Sequence, residues 1–172
     1  MVYVSLEAPA RQKNESIMEQ EAIDKAFQKQ QRRSGVEVEW QGNSFLLLTA
    51  LNTGRLRLQR KDSFFLTGVE RTLLDMTVRP LYGGRAAIIL KANIKALPIL
   101  SVENLIQLLD TIGFSYPYQQ ALGFYLSRAG FKGIELEDLK KRPTPYRFYL
   151  DYEMKAPLYC KEWNIFYPSE LG

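Results

Sequence analysis

The side chains best placed for chemistry lie between Thr67 and Gly84, where Glu70, Arg71, Asp75 and Arg79 interrupt an apolar pattern of Leu73, Leu74, Thr77 and Val78. On a helix, Arg71, Asp75 and Arg79 fall at i, i+4 and i+8 and stack along one stripe, so two guanidiniums bracket one carboxylate. Such a ladder either presents a metal or phosphate site or orders the helix and the loop behind it. Ordering is the stronger reading. An exposed pair contributes only roughly a few tenths of a kcal/mol, so the stripe gains a larger role only if it is partly buried.

Composition narrows the remaining chemistry. The 172 residues include no histidine and a single cysteine, Cys160. Ser-His-Asp and Cys-His sites therefore cannot be assembled, and ordinary zinc sites lose their usual ligands. Carboxylate chemistry with Mg²⁺ stays open, as does no chemistry at all. The acidic run Glu135-Leu136-Glu137-Asp138 with Lys140 contains the Asp-x-Lys string of metal-dependent nucleases. Those enzymes need the triplet and a further carboxylate on adjacent strands, whereas this run reads as a short helix. No catalytic residue, metal or cofactor is assigned. With 23 Lys+Arg against 19 Asp+Glu the net charge is +4, which permits a nucleic-acid or acidic-protein partner without requiring one. The length and the 46% hydrophobic content suit one domain over 1–172. No run of about 18 apolar residues is present, the N-terminus lacks signal-peptide order, and one cysteine fits a reducing compartment, so a cytoplasmic protein away from membranes is expected.

The elements that must position these residues follow in order. Alternation of Val2, Val4 and Leu6 predicts a strand over 1–7. Ile17, Ala22, Ile23, Ala26 and Phe27 predict a helix from Ser16 to about Arg33, ended by Gly35, with cations in its C-terminal half where the helix dipole favours them. Val36–Trp40 and Phe45–Thr49 read as a hairpin turning at Gly42-Asn43. From Arg55 to Lys61 the chain alternates, placing Arg55, Arg57 and Gln59 on one face and Leu56 and Leu58 on the other, and Ser63–Leu66 completes an antiparallel meander. Thr67 and Glu70 form a capping box that opens a helix at Gly68; Pro80 stops it near Arg79, and Gly83-Gly84 needs positive φ or a close approach. Further helices are expected over Arg85–Ala96, apolar enough to be buried, from the Ser101 cap to Ile112, over Tyr118–Ala129 behind Pro117, and briefly over Leu136–Lys141. Tyr146–Tyr152 and Cys160–Tyr167 read as strands that join the meander. The expected fold is α+β: a mostly antiparallel sheet, from the N-terminal meander plus the C-terminal strands, packed against a block of about four to five helices.

Two groups suit partner contact. Arg55, Arg57, Arg60 and Lys61, with Lys29, Arg32 and Arg33, form a basic footprint. Tyr116, Tyr118 and the aromatic C-terminal strands supply rings, and exposed rings beside arginine suit a protein interface or a single-stranded nucleic-acid platform. Half-buried sheet aromatics with wet hydroxyls are the alternative.

Glu70-Arg71-Thr72-Leu73-Leu74-Asp75, then Arg79-Pro80-x-Tyr82-x-Gly84, and then Tyr116-Pro117-Tyr118-Gln119-Gln120-Ala121-Leu122-Gly123-Phe124-Tyr125-Leu126-x-Arg128-Ala129-Gly130 resemble the AbiEi-type antitoxins of abortive-infection type IV toxin–antitoxin systems. The turn Asn52-Thr53-Gly54-Arg55-Leu56 and the closing Glu162-Trp163 fit the same pattern, which runs over nearly the whole chain. The resemblance implies a bacterial protein encoded beside a nucleotidyltransferase toxin. It would counteract that toxin without catalysis, by contact or by opposing its effect. Glu70, Arg71, Asp75, Arg79, Tyr82 and Gly84 then form a structural clamp. Members of that family usually carry an N-terminal winged helix that binds operator DNA. Residues 1–35 hold one strand, a loop and one helix, too little for a winged helix, so the likeness implies the C-terminal antitoxin domain alone, as a short natural form or a fragment. The alternative function is a nucleic-acid-binding transcriptional regulator that uses the basic strand and helix end.

Overall fold

The run from Tyr118 to Leu126 has apolar, aromatic or small residues on nearly every face, so a helix built from it needs partners all round. In the structure, a computed structural model describing residues 2–5 (backbone only), 19–31, 35–48 and 56–172, this run lies in the central helix. Tyr118, Gln120, Ala121, Leu122, Gly123, Phe124, Tyr125 and Leu126 are all buried.

The elements are β1 (Val2–Ser5), α1 (Gln20–Gln28), β2 (Val36–Trp40), β3 (Asn43–Leu48), β4 (Leu58–Lys61), β5 (Phe64–Thr67), α2 (Val69–Val78), α3 (Pro80–Gly83), α4 (Arg85–Ala96), α5 (Val102–Ile112), α6 (Tyr118–Arg128), α7 (Ile134–Lys140), β6 (Phe148–Tyr149), β7 (Leu158–Cys160) and β8 (Ile165–Tyr167). The fold is α+β. Helices α2, α4 and α7 and strands β6 and β8 pack on α6, and Leu74, Ile89, Leu105, Leu122, Phe124, Leu126, Phe148, Trp163 and Ile165 fill the core.

The described strands form three separate sheets, ordered β1-β3-β2, β4-β5 and β6-β8-β7, so the meander expected over 36–66 divides between two sheets and the C-terminal strands form a third. β1–β3 and β6–β8 are parallel pairs; the others are antiparallel. The C-terminal strands are held instead by Gln120. Its side-chain Nε2 donates from inside the core to the carbonyls of Tyr146 (3.1 Å), Trp163 (2.8 Å) and Asn164 (2.8 Å), which fastens the tail to α6. Cys160–Tyr167 is a hairpin rather than one strand, because Asn164 takes positive φ (49°) and its side chain donates to the carbonyls of Thr144 and Tyr146. Asparagine tolerates that conformation through local hydrogen bonding.

Other boundaries also moved. Helix α1 ends at Gln28, well before Gly35, because the Phe27 carbonyl accepts from Glu153 N–H (2.9 Å) and the Phe27 ring stacks on Tyr149 and Tyr152. The β2–β3 turn uses Gln41-Gly42, both at positive φ, one residue earlier than expected. β4 begins at Leu58 because Arg57 is left-handed (φ 57°). Helix α4 buries only Ala86, Ile89 and Asn93 as a stripe; Ile88 and Ile94 face outward, so it is not buried over most of its surface. About half of residues 1–35, the stretch expected to be too short for a winged helix, lies outside the described residues.

Candidate functional site

Helix α2 lacks the expected capping box. Gly68 is the N-cap and makes no side-chain cap bond. Thr72 Oγ1 donates to the Gly68 carbonyl (2.9 Å), which leaves the Thr67 hydroxyl to bond Thr72 Oγ1 (2.7 Å). Glu70 instead accepts the Ser101 backbone N–H (3.2 Å), tying the start of α2 to the start of α5. In turn Ser101 Oγ caps α5 by accepting from Asn104 N–H (3.3 Å), the cap expected from its sequence.

Arg71 and Asp75 are both buried, and Arg71 Nε lies 2.9 and 3.0 Å from the two carboxylate oxygens. Arg71 Nη1 also reaches the Leu56 carbonyl (3.4 Å), so the pair links α2 to the strand region before β4. Burial pushes the Asp75 carboxyl above its ordinary value, and the Arg71 charge and hydrogen bond only partly offset this. The ladder does not extend to a third helical rung. Arg79 leaves the helical conformation (φ −129°, ψ 68°) ahead of Pro80, and its charge acts on the hydroxyls of Tyr118 and Tyr152. Its carbonyl accepts the N–H groups of Tyr82 and Gly83 (both 3.0 Å), which forms the short α3 turn. Both features expected of the glycine pair are present. A Cβ on Gly83 would stand 3.0 Å from Met76 Cβ, and Gly84 is left-handed (φ 86°). Tyr82 is half-buried in α3.

A second buried carboxylate, Asp151, has no counterpart in the sequence reading. It sits at the start of α4, accepting from Tyr152 N–H (2.8 Å), from Ala86 N–H (3.2 Å) and from Arg85, whose guanidinium also donates to the Tyr152 carbonyl (3.0 Å). A helix N-terminus favours negative charge. Burial is nonetheless the larger effect and raises the carboxyl above its ordinary value. Nothing local in the sequence pairs Asp151 with Arg85; their contact is long-range.

The candidate contact residues separate. Arg32, Arg33 and Arg55 lie outside the described residues. Lys29 is exposed just past the end of α1. Arg57 is committed to the fold, donating from its guanidinium to Asn104 (2.8 Å) and accepting Gly68 N–H at its carbonyl (2.9 Å). Arg60 and Lys61 are exposed on the β4–β5 ribbon. Tyr118 is buried and its hydroxyl faces the Val78 carbonyl (3.5 Å), which removes it from any contact surface. Tyr116 is half-buried among Phe27, Tyr118 and Phe148. Exposed rings among the described residues include Trp40, Tyr159 and the adjacent Phe64 and Phe65. Adjacent strand residues point to opposite faces, so at least one outward ring was legible there.

Among the described residues, no group of three His, Cys, Asp or Glu side chains is gathered to hold a metal. Glu137 and Asp138 pair with Lys140 and Lys141, and Lys140 also holds Glu162 (2.9 Å). A groove of about 610 Å³ runs between the end of α5 and the start of α6, walled by Phe114, Tyr116, Pro143 and Tyr146 and by the bidentate Asp110–Arg142 pair. No described helix is long and apolar enough to cross a membrane. Comparison with protein-family models, with curated proteins and with solved structures returns no match.

Proposed function

We propose that this chain is an antitoxin-like domain that counteracts a nucleotidyltransferase toxin in the bacterial cytoplasm, without catalysis of its own. The observation that carries the reading is the convergence of the strings that resemble the AbiEi-type antitoxins. Arg71 holds Asp75, the Arg79 charge reaches Tyr118, and Gln120 and Gly123 meet Trp163. Chance likenesses scattered along a chain have no reason to pack against one another. These groups are mostly buried and engaged with each other, which is what a scaffold requires. Their role is to set the shape of the surface that opposes the toxin, by contact or by acting against its effect. The test is growth of cells making the nucleotidyltransferase encoded beside this chain, with and without the chain: rescue supports the reading and its absence overturns it.

A further inference from the structure

We propose that the apolar face of the β2–β3 hairpin, formed by Val36, Val38, Trp40, Phe45 and Leu47, docks a second copy of this chain, sheet face against sheet face. The inference goes beyond the antitoxin reading and does not rest on it.

Register builds the face. Val36 lies opposite Leu47, Val38 opposite Phe45 and Trp40 opposite Asn43. Opposed residues in an antiparallel pair share a face, and neighbours along a strand alternate, so the apolar side chains stand on one side while Glu37, Glu39, Ser44 and Leu46 stand on the other. On the far side the Glu37 carboxylate accepts from the Ser44 hydroxyl across the two strands. The apolar side is open to solvent. Val36 and Trp40 are 61% exposed, Val38 53% and Leu47 51%, and the Trp40 ring stands edge-on to Phe45 with centroids 6.3 Å apart. Large apolar side chains exposed side by side mark an interaction surface, whereas single ones scattered over a protein do not.

Charge selects the occupant. Glu37 and Glu39 are the only charged residues over 35–48, and both lie on the far side. The apolar face therefore offers no cation to an anionic headgroup or a phosphate backbone, and no charge for a patch on a different protein to match. A second copy needs none. A two-fold axis sets one patch against itself, which a charged patch resists and an uncharged one allows. Two sheets packed face to face interdigitate their side chains across ~10 Å, so Trp40, Phe45 and the valines of both copies would form one small core. Pairing edge to edge is disfavoured. Among the described strands β2 is an edge of its sheet. An antiparallel copy beside it, in any register that pairs most of the strand and keeps the apolar faces on one side, sets glutamate opposite glutamate. The face is small beside the ~20–30 residues a side of a standard interface, so the dimer should be weak, with a dissociation constant of about 1 µM or higher.

The experiment is acrylamide quenching of tryptophan fluorescence in the full chain from about 1 µM to about 500 µM, beside sedimentation velocity over the same range. The chain has two tryptophans, and Trp163 is 2% exposed, so its signal is shielded throughout and any change reports Trp40. Quenching should fall with concentration while the sedimentation coefficient rises from monomer to dimer. Val38→Glu brings two carboxylates together at the interface and should weaken the dimer at least about tenfold with an unchanged melting curve, whereas Glu39→Gln on the far side should leave it unchanged. A chain that stays monomeric with Trp40 quenchable at every concentration overturns the proposal. A dimer that leaves Trp40 quenchable, or that Val38→Glu does not weaken, uses another face and also overturns it. Shielding of Trp40 in the monomer, by the chain itself, by phosphatidylcholine vesicles or by the neighbouring nucleotidyltransferase, gives the face to a different occupant and overturns it as well.

Discussion

Gly123→Ala should destabilise the protein, although a glycine inside a helix is ordinarily improved by alanine. Gly123 lies in the middle of α6 with the six-membered ring of Trp163 against it, and an added Cβ would fall on Cζ3, Cη2 and Cε3, far inside the ~3.5–4.0 Å of normal carbon contact. Helix propensity favours alanine by about 1 kcal/mol. Overpacking opposes it by about 1–3 kcal/mol where the neighbours can yield, and by more where they cannot. Here they are held. Trp163 is 2% exposed, and its carbonyl is tied to Gln120, one helical turn before Gly123. The clash therefore wins by about 2 kcal/mol or more, a fall in Tm of roughly 4–8 °C for a chain of this size. Thermal melts followed by circular dichroism measure it. In a Trp163→Leu background the same change should be neutral or slightly stabilising, because only the propensity gain remains. Equal stability of Gly123→Ala and wild type, or additivity of the two substitutions within about 0.5 kcal/mol, would refute the packing argument.

Asp75→Ala strands the buried Arg71 guanidinium without its counter-ion and should lower stability by about 3–5 kcal/mol in urea denaturation. Arg71→Met with Asp75→Leu should recover most of that loss, since removing both members leaves no buried charge unpaired; a double variant as unstable as the single one contradicts this. Asp151 should make stability pH-dependent in the direction opposite to an ordinary ion-paired carboxylate. Its folded pKa lies above the ordinary 3.8, chiefly through burial. The folded state therefore holds that proton more tightly, so the group's contribution is most favourable below the unfolded value and declines as pH rises through the folded one. The stability of wild type minus Asp151→Asn should fall as pH rises from the ordinary 3.8 through the raised folded value; a rise would mean that Arg85 and the α4 terminus outweigh burial. Tyr149 and Tyr152 are pushed up to about 12, first by burial. Their stabilisation is complete below the ordinary value of 10.0 and lost as pH rises toward 12. Tyrosinate absorbance should appear in two phases, the later one coinciding with unfolding, and a single phase at the ordinary value contradicts the packing of these rings.

Elements announced by their own caps were legible from sequence. Ser101 and Gly113 bound α5, and Pro117 opens α6, as residue type alone dictates. Long-range partners were not. Thr67 and Glu70 have the spacing of a capping box, but Glu70 bonds Ser101, which lies 31 residues away. Arg79 has ladder spacing, yet the following proline takes it out of the helix. The C-terminal strands have ordinary strand composition, and the buried amide that fastens them to α6, Gln120, is marked by no periodicity. Tyr118 and Phe64 show the same limit from both sides. Local pattern places a ring on a face, but burial depends on what packs there: Phe27 and Phe148 cover Tyr116 and Tyr118, while half of Phe64 stays exposed.

The antitoxin proposal is tested most directly by colony counts of cells in which the neighbouring nucleotidyltransferase is induced. Antitoxin action predicts full colony numbers when the wild-type chain is co-expressed. It also predicts reduced rescue by Gly123→Ala in step with its lost stability. Uninterrupted toxicity with the folded wild-type chain present at the toxin's own level would contradict it.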